Sequence, residues 1–140
     1  MKCDKPNFYG RRKGRQLRKT MQSLLEVSLP KLRFNPDCSI AGQFKGAPSE
    51  IYLEIGFGGG ENLVAMAEAN PAAAYIGAEP FINGVASLLR HIKTGTLENI
   101  RIWDDDVKLI LDALPNGCLT GVYVLFPDPW PKQRHKERRI

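Results

Sequence analysis

Ile51-Tyr52-Leu53-Glu54-Ile55-Gly56-Phe57-Gly58-Gly59-Gly60-Glu61 is the stretch on which the architecture turns. Its first five residues, apolar but for Glu54, read as a buried strand. Glycines at 56, 58, 59 and 60 then make a loop that permits a tight turn and close approach of the main chain to a ligand. Glu61 opens a helical pattern with Leu63, Met66 and Ala67 on one face, stopped at Asn70-Pro71. A strand leading through a glycine loop into a helix is half of a βαβ unit.

The rest of the unit follows, and then repeats. Ala74–Ala78 reads as a second strand. Val85, Leu88, Leu89 and Ile92 define a helix that Asn83 is placed to cap and Gly95 to close. Ile100–Trp103 is a third strand, Val107–Leu114 a third helix, Pro115-Asn116-Gly117 a turn and Val122–Phe126 a fourth strand. This alternation predicts an α/β fold with a parallel sheet and right-handed crossovers. Residues 51–140 are therefore read as the folded unit. Residues 1–50 are read as a basic arm and a connecting segment. Within them, Thr20–Leu29 predicts a short helix ended by Pro30.

Composition fits one globular unit: 140 residues, 43% hydrophobic and 25% charged. The apolar run Val122–Phe126 is far short of the roughly 20 residues that span a membrane, and no secretory leader is read at the N-terminus. Cys3, Cys38 and Cys118 are too scattered for a metal cluster or a disulfide framework, which points to a reducing cytoplasm. The net charge of +5 conceals a segregation. Residues 1–19 carry +7, residues 132–140 carry +4, and the body between them carries −6. The basic ends suit a polyanion such as nucleic acid, or else merely aid solubility. Gly10 and Gly14 in the arm predict a segment that is flexible alone and incurs an ordering cost on binding.

The glycine loop meets a dinucleotide fingerprint only in part, with Gly56 and Gly58 in place and Glu61 where a third glycine belongs. Glu79 ends the second strand, 21 residues after Gly58, where an acid bonds the two hydroxyls of a nucleoside ribose. Charge separates two cofactor classes. Glu54, Glu61, Glu79, Asp105, Asp106 and Asp128 fall at or near the C-terminal ends of strands, the ligand edge of an open α/β sheet. Such a rim repels the pyrophosphate of NAD and suits S-adenosylmethionine (SAM), which carries a sulfonium and an ammonium. Asp106 is placed to bond the adenine amino group, whereas Asp104 and Asp105 have the alternative of capping the next helix.

Phe126-Pro127-Asp128-Pro129-Trp130-Pro131 follows the fourth strand. Alternate prolines stiffen the loop, hold Asp128 beside the crevice and offer Trp130 as a stacking face. Lys132-Gln133-Arg134-His135-Lys136-Glu137-Arg138-Arg139 comes next, so polyanion-binding charge sits beside the expected reaction centre. An aromatic face flanked by Arg and Lys is the usual equipment for an unstacked base.

Taken together, Tyr9-Gly10-Arg11-Arg12, Leu53–Gly60, Gly77-Ala78-Glu79 and above all Phe126–Pro131 with Lys132, Arg134, His135, Arg138 and Arg139 resemble the bacterial tRNA (guanine-N7-)-methyltransferases. The resemblance implies a Rossmann-like class I methyltransferase fold and SAM-dependent methylation of guanine 46 N7 in the tRNA variable loop. It implies that Glu54, Glu79, Asp106 and Asp128 bind SAM together with the loop glycines Gly56 and Gly58, and that Asp128 is catalytic. Lys132 would contact substrate, and Arg134, His135, Lys136, Arg138 and Arg139 would contact RNA. No metal and no membrane are implied. Guanine N7 carries a lone pair and no proton, so the reaction needs alignment rather than a base. The family's sheet has further strands, so order 3-2-1-4 is expected here with strands 5-7-6 missing, and a fragment is expected. Competing readings are a methyltransferase acting on an adenine amino group and a module that binds SAM or RNA without turnover.

Overall fold

The computed structural model describes residues 10–125 and 132–138. Four strands form one parallel sheet: β1 (Ile51–Ile55), β2 (Ala74–Ala78), β3 (Ile100–Trp103) and β4 (Gly121–Val124). Their order is β3-β2-β1-β4, as the family resemblance implies. The helices are α1 (Lys19–Val27), α2 (Leu29–Leu32), α3 (Glu61–Ala69), α4 (Ile82–Gly95) and α5 (Lys108–Leu111).

Both faces of the central strands are covered, which is why β1 and β2 read as near-continuous apolar runs. One core joins Tyr75, Ile100 and Ile102 to Leu63 and Ala67 of α3 and to Val85, Leu88, Leu89 and Ile92 of α4. The other joins Leu53, Ile55 and Ile76 to Ile110 of α5 and to Phe34, Ile40 and Phe44 of the connecting segment. In register across the first face, Tyr52 and Tyr75 stack with centroids 5.3 Å apart. Asn99 secures the turn into β2 by donating to the carbonyls of Ala67, Asn70 and Ala73, which satisfies the end of α3.

Three local expectations are corrected. Pro30 does not end the first helix; α1 stops at Val27, and Pro30 sits in the first turn of α2, where a missing N–H costs nothing. α5 is confined to Lys108–Leu111, shorter than the 107–114 pattern, because the chain turns toward Pro115. β4 closes at Val124, and Phe126 lies outside the described residues. The connecting segment also does more than link. Arg33 bridges to Ile102 in parallel and the Phe34 N–H donates to the Ile102 carbonyl at 2.8 Å, so the outer edge of β3 is capped. Among the described residues β4 pairs with β1 alone, and Val122 and Tyr123 on it are 50% and 38% exposed.

Candidate functional site

Parallel topology carries the ends of β1, β2 and β3, and the loops that follow them, to one edge of the sheet. The glycine loop lies there between β1 and α3. Gly56, Gly58 and Gly60 have φ of 71°, 60° and 87°, a left-handed backbone that other residues enter at a cost of about 1–2 kcal/mol each. A Cβ on Gly56 or Gly58 would meet nothing within 4 Å. Space is therefore open over the loop, and its backbone can approach a ligand there.

Glu79 is joined to that loop. The Gly58 N–H donates to Glu79 Oε2 at 3.0 Å across 21 residues, and the Phe81 N–H donates to Oε1 at 3.1 Å. The carboxylate thus ties the glycine loop to the start of α4. Partial burial pushes its pKa above the ordinary value, while the two backbone bonds pull it back. A carboxylate oxygen has two lone pairs, so both oxygens keep acceptor capacity for ribose hydroxyls.

Glu54 is the more unusual group. It is 2% exposed, near the end of β1. Asn62 Nδ2 donates to its Oε1 at 3.4 Å, while Oε2 is buried and has no hydrogen-bond partner among the described residues. Burial raises its pKa, with the Asn62 amide opposing. An orphaned carboxylate oxygen next to an open glycine loop fits a cationic or hydrogen-bond-donating ligand group and is costly without one.

The linkage has a definite sign. Both Glu54 and Glu79 titrate above the ordinary value of 4.5 in the folded chain, so the folded state holds more protons than the unfolded one in that window. Unliganded stability therefore falls as pH rises from about 4.5 through the raised values. Glu54→Gln should flatten this fall and leave the variant at least as stable as the parent at neutral pH. Urea unfolding between pH 4.5 and 8 reads it out; an unchanged pH profile would refute the buried-charge account.

The acidic triplet after β3 divides its work. Asp104 makes a two-pronged pair with Arg33, at 2.9 and 3.1 Å. Asp105 pairs with Arg12 at 2.8 Å. The N-terminus of α5 is held instead by Asp106, 8% exposed, whose Oδ1 accepts from the Lys108 N–H at 3.0 Å. Trp103 Nε1 donates to the Asp106 carbonyl at 2.9 Å and holds this turn against the end of β3.

Asn83 does not cap α4. The cap position is Phe81, and the Asn83 amide binds the backbone of the basic arm instead. Two further residues carry no linear signature of their roles. Asn62 is set over Glu54 by the geometry of the turn into α3. Gly84 lies where a Cβ would be 2.1 Å from the Gly58 carbonyl oxygen, so α4 and the glycine loop touch through bare backbone. A glycine inside a helical pattern, which costs about 1 kcal/mol against alanine, is the one hint the sequence offers.

At the other end of the chain, Lys132, Arg134 and Lys136 are exposed. Gln133–Arg138 forms a 3-10 turn that includes His135 and Arg138, and the Glu137 carbonyl accepts from Lys108 Nζ at 2.8 Å. The basic segment is thus anchored to α5. Asp128, Trp130 and Arg139 lie outside the described residues. Among the described residues no three His, Cys, Asp or Glu side chains are grouped to hold a metal ion, and no helix is long and apolar enough to cross a membrane.

Residues 48–140 match the model of a family described as "Putative methyltransferase". The chain is 49% identical to a tRNA (guanine-N(7)-)-methyltransferase of Paramagnetospirillum magneticum, over 99% of this chain and 60% of that protein. It is 48% identical to one of Rhodospirillum rubrum, over 95% of this chain and 55% of that protein. It is 43% identical to one of Granulibacter bethesdensis, over 100% of this chain and 63% of that protein. The chain thus spans between 55% and 63% of the length of these curated relatives.

Proposed function

Since this chain belongs to that methyltransferase family, we propose that its function is SAM-dependent methyl transfer to N7 of a guanine in tRNA, at position 46 of the variable loop. The activity for which these relatives are named supports the reaction and the substrate. The observation that carries the cofactor reading is the buried Glu54 carboxylate, with one oxygen unpartnered among the described residues, beside a glycine loop tied to Glu79. An anionic pyrophosphate would be repelled by this edge. A sulfonium and an ammonium would be attracted to it.

SAM, when bound, supplies the methyl group as an electrophile. The chain's part is to hold and orient. Gly56 and Gly58 admit the cofactor close to backbone, Glu54 and Asp128 face its cationic portion, Glu79 takes the ribose and Asp106 the adenine. Lys132, Arg134, His135, Lys136, Arg138 and Arg139 hold the RNA. Asp128 stabilises positive charge that develops on the base; no residue need remove a proton, because N7 bears none. The compartment is the cytoplasm, where tRNA is found. A second reading, binding without turnover, draws on the exposed outer side of β4, which leaves one flank of the crevice open among the described residues.

Calorimetry on the soluble chain should show binding of SAM or its demethylated product and none of NAD. Clear NAD binding without SAM binding would overturn the cofactor reading. Transfer of radiolabel from SAM to bulk tRNA, with the label located on guanine N7, separates the methyltransferase from both the adenine-directed alternative and the binding module.

A further inference from the structure

The basic arm departs most from its sequence-based expectation. A segment with two glycines and a run of cations predicts a loose tail, yet its backbone is pinned at three points within four residues. The Ile82 N–H donates to the Arg12 carbonyl at 2.9 Å. The Gly14 N–H donates to Asn83 Oδ1 at 2.8 Å, and Asn83 Nδ2 donates to the Arg15 carbonyl at 2.7 Å. A primary amide offers one face as acceptor and another as donor, so Asn83 serves the arm as a neighbouring strand would. Packing supports the same register, since a Cβ on Gly14 would lie 2.7 Å from the Phe81 ring. The Arg12 guanidinium reaches Asp105 at 2.8 Å. Arg11, Lys13 and Arg15 nevertheless keep exposed side chains.

The start of α5, just after the turn that receives the arm, holds the other basic segment. Asp105 receives Arg12, and Lys108, three residues on, holds the Glu137 carbonyl. Three residues of chain span at most about 11 Å. The two basic segments, more than a hundred residues apart in sequence, are therefore anchored close together, one to the turn after β3 and the other to the first residue of α5.

We infer that Asn83 is a positioning residue that clamps the basic arm along the start of α4 as a ready-made grip for RNA phosphates, an inference that rests on the RNA reading above. The exposed cations are presented on an already ordered backbone, and the ordering cost expected of a flexible tail is met during folding instead. Asn83 itself touches no phosphate.

The test uses the whole chain, with Asn83→Leu to remove the amide and Gly14→Val to push the arm away from Phe81 without altering α4. Trypsin cuts after Arg11, Arg12, Lys13 and Arg15 only when the arm is undocked. Cleavage there should rise roughly tenfold in both variants, as expected when two hydrogen bonds are removed. Affinity for bulk tRNA should fall several-fold across a salt series, with the log–log slope unchanged because every cation remains. Neutralising Arg11, Lys13 and Arg15 should instead flatten the slope, by roughly one unit or slightly less for each phosphate that is no longer neutralised. Unaltered cleavage in both variants would refute the clamp while leaving the RNA reading intact, since binding by the parent chain is measured separately. Faster cleavage with unchanged tRNA affinity would refute the grip. A parent chain that does not bind tRNA at low salt would refute the RNA reading, and this inference with it.

Discussion

Gly84→Val should unfold the cofactor edge, lowering stability by about 3 kcal/mol and the melting temperature by roughly 10 °C. A Cβ at this position would lie 2.1 Å from the Gly58 carbonyl oxygen and 3.1 Å from its carbon. Those are backbone atoms, with no side-chain end to swing away. Restoring van der Waals distance requires α4 and the glycine loop to part by roughly 1 Å. That separation stretches the two bonds through which Glu79 holds Gly58 and Phe81. Losing one charge-assisted bond costs about 1.5–3 kcal/mol, so SAM affinity should drop about ten- to a hundredfold or more. Gly58→Ala provides the contrast. Its Cβ would enter open space, and its cost is the backbone conformation at φ 60°, about 1–2 kcal/mol. Denaturant unfolding and calorimetry on both variants separate contact from conformation. A Gly84→Val chain that unfolds and binds SAM like the parent would refute the close approach.

Asp128→Ala should cut methyl transfer by about a hundred- to a thousandfold while tRNA affinity changes less than about twofold. The residue lies outside the described residues. Guanine becomes cationic as N7 gains a substituent, and a carboxylate held close to that charge lowers the barrier. On the proposed function the phosphates are held by Lys and Arg, which the substitution leaves in place. Asp128→Asn retains the shape and a hydrogen-bonding group but not the charge, and should be nearly as slow as alanine. Single-turnover rates with saturating tRNA, paired with equilibrium tRNA binding, give the comparison. A normal rate in either variant would remove Asp128 from the mechanism.

Much of the crevice could be read from residues alone, because βα units have a nearly constant length. The 21-residue step from Gly58 to Glu79 takes in one helix, one turn and one strand, which brings an acid at its end to the loop. The same holds for the sheet. Apolar runs bounded by glycine, proline and asparagine mark β1 to β4, and helix-period spacing marks α3 and α4. What failed was local choice among chemically equivalent options. Asn83 is a good cap by composition, and Asp104 and Asp105 are good caps by position. Pro30 is a good terminator or an equally good first-turn residue.

The amino-acid sequence by itself determined the order of elements, the parallel sheet, the acidic edge and the two basic ends, since each follows from short-range periodicity or from charge along the chain. Tertiary structure alone decided which groups those charges meet. Arg12 finds Asp105 across 93 residues and Arg33 finds Asp104 across 71. The Asn83 amide goes to Gly14 and Arg15 rather than to its own helix. Gly84 is needed because the Gly58 carbonyl lies against it. The physical reason is that a side chain's hydrogen-bonding capacity is set by its chemistry, whereas its partner is set by which backbone the packing of helices on the sheet brings within about 3 Å.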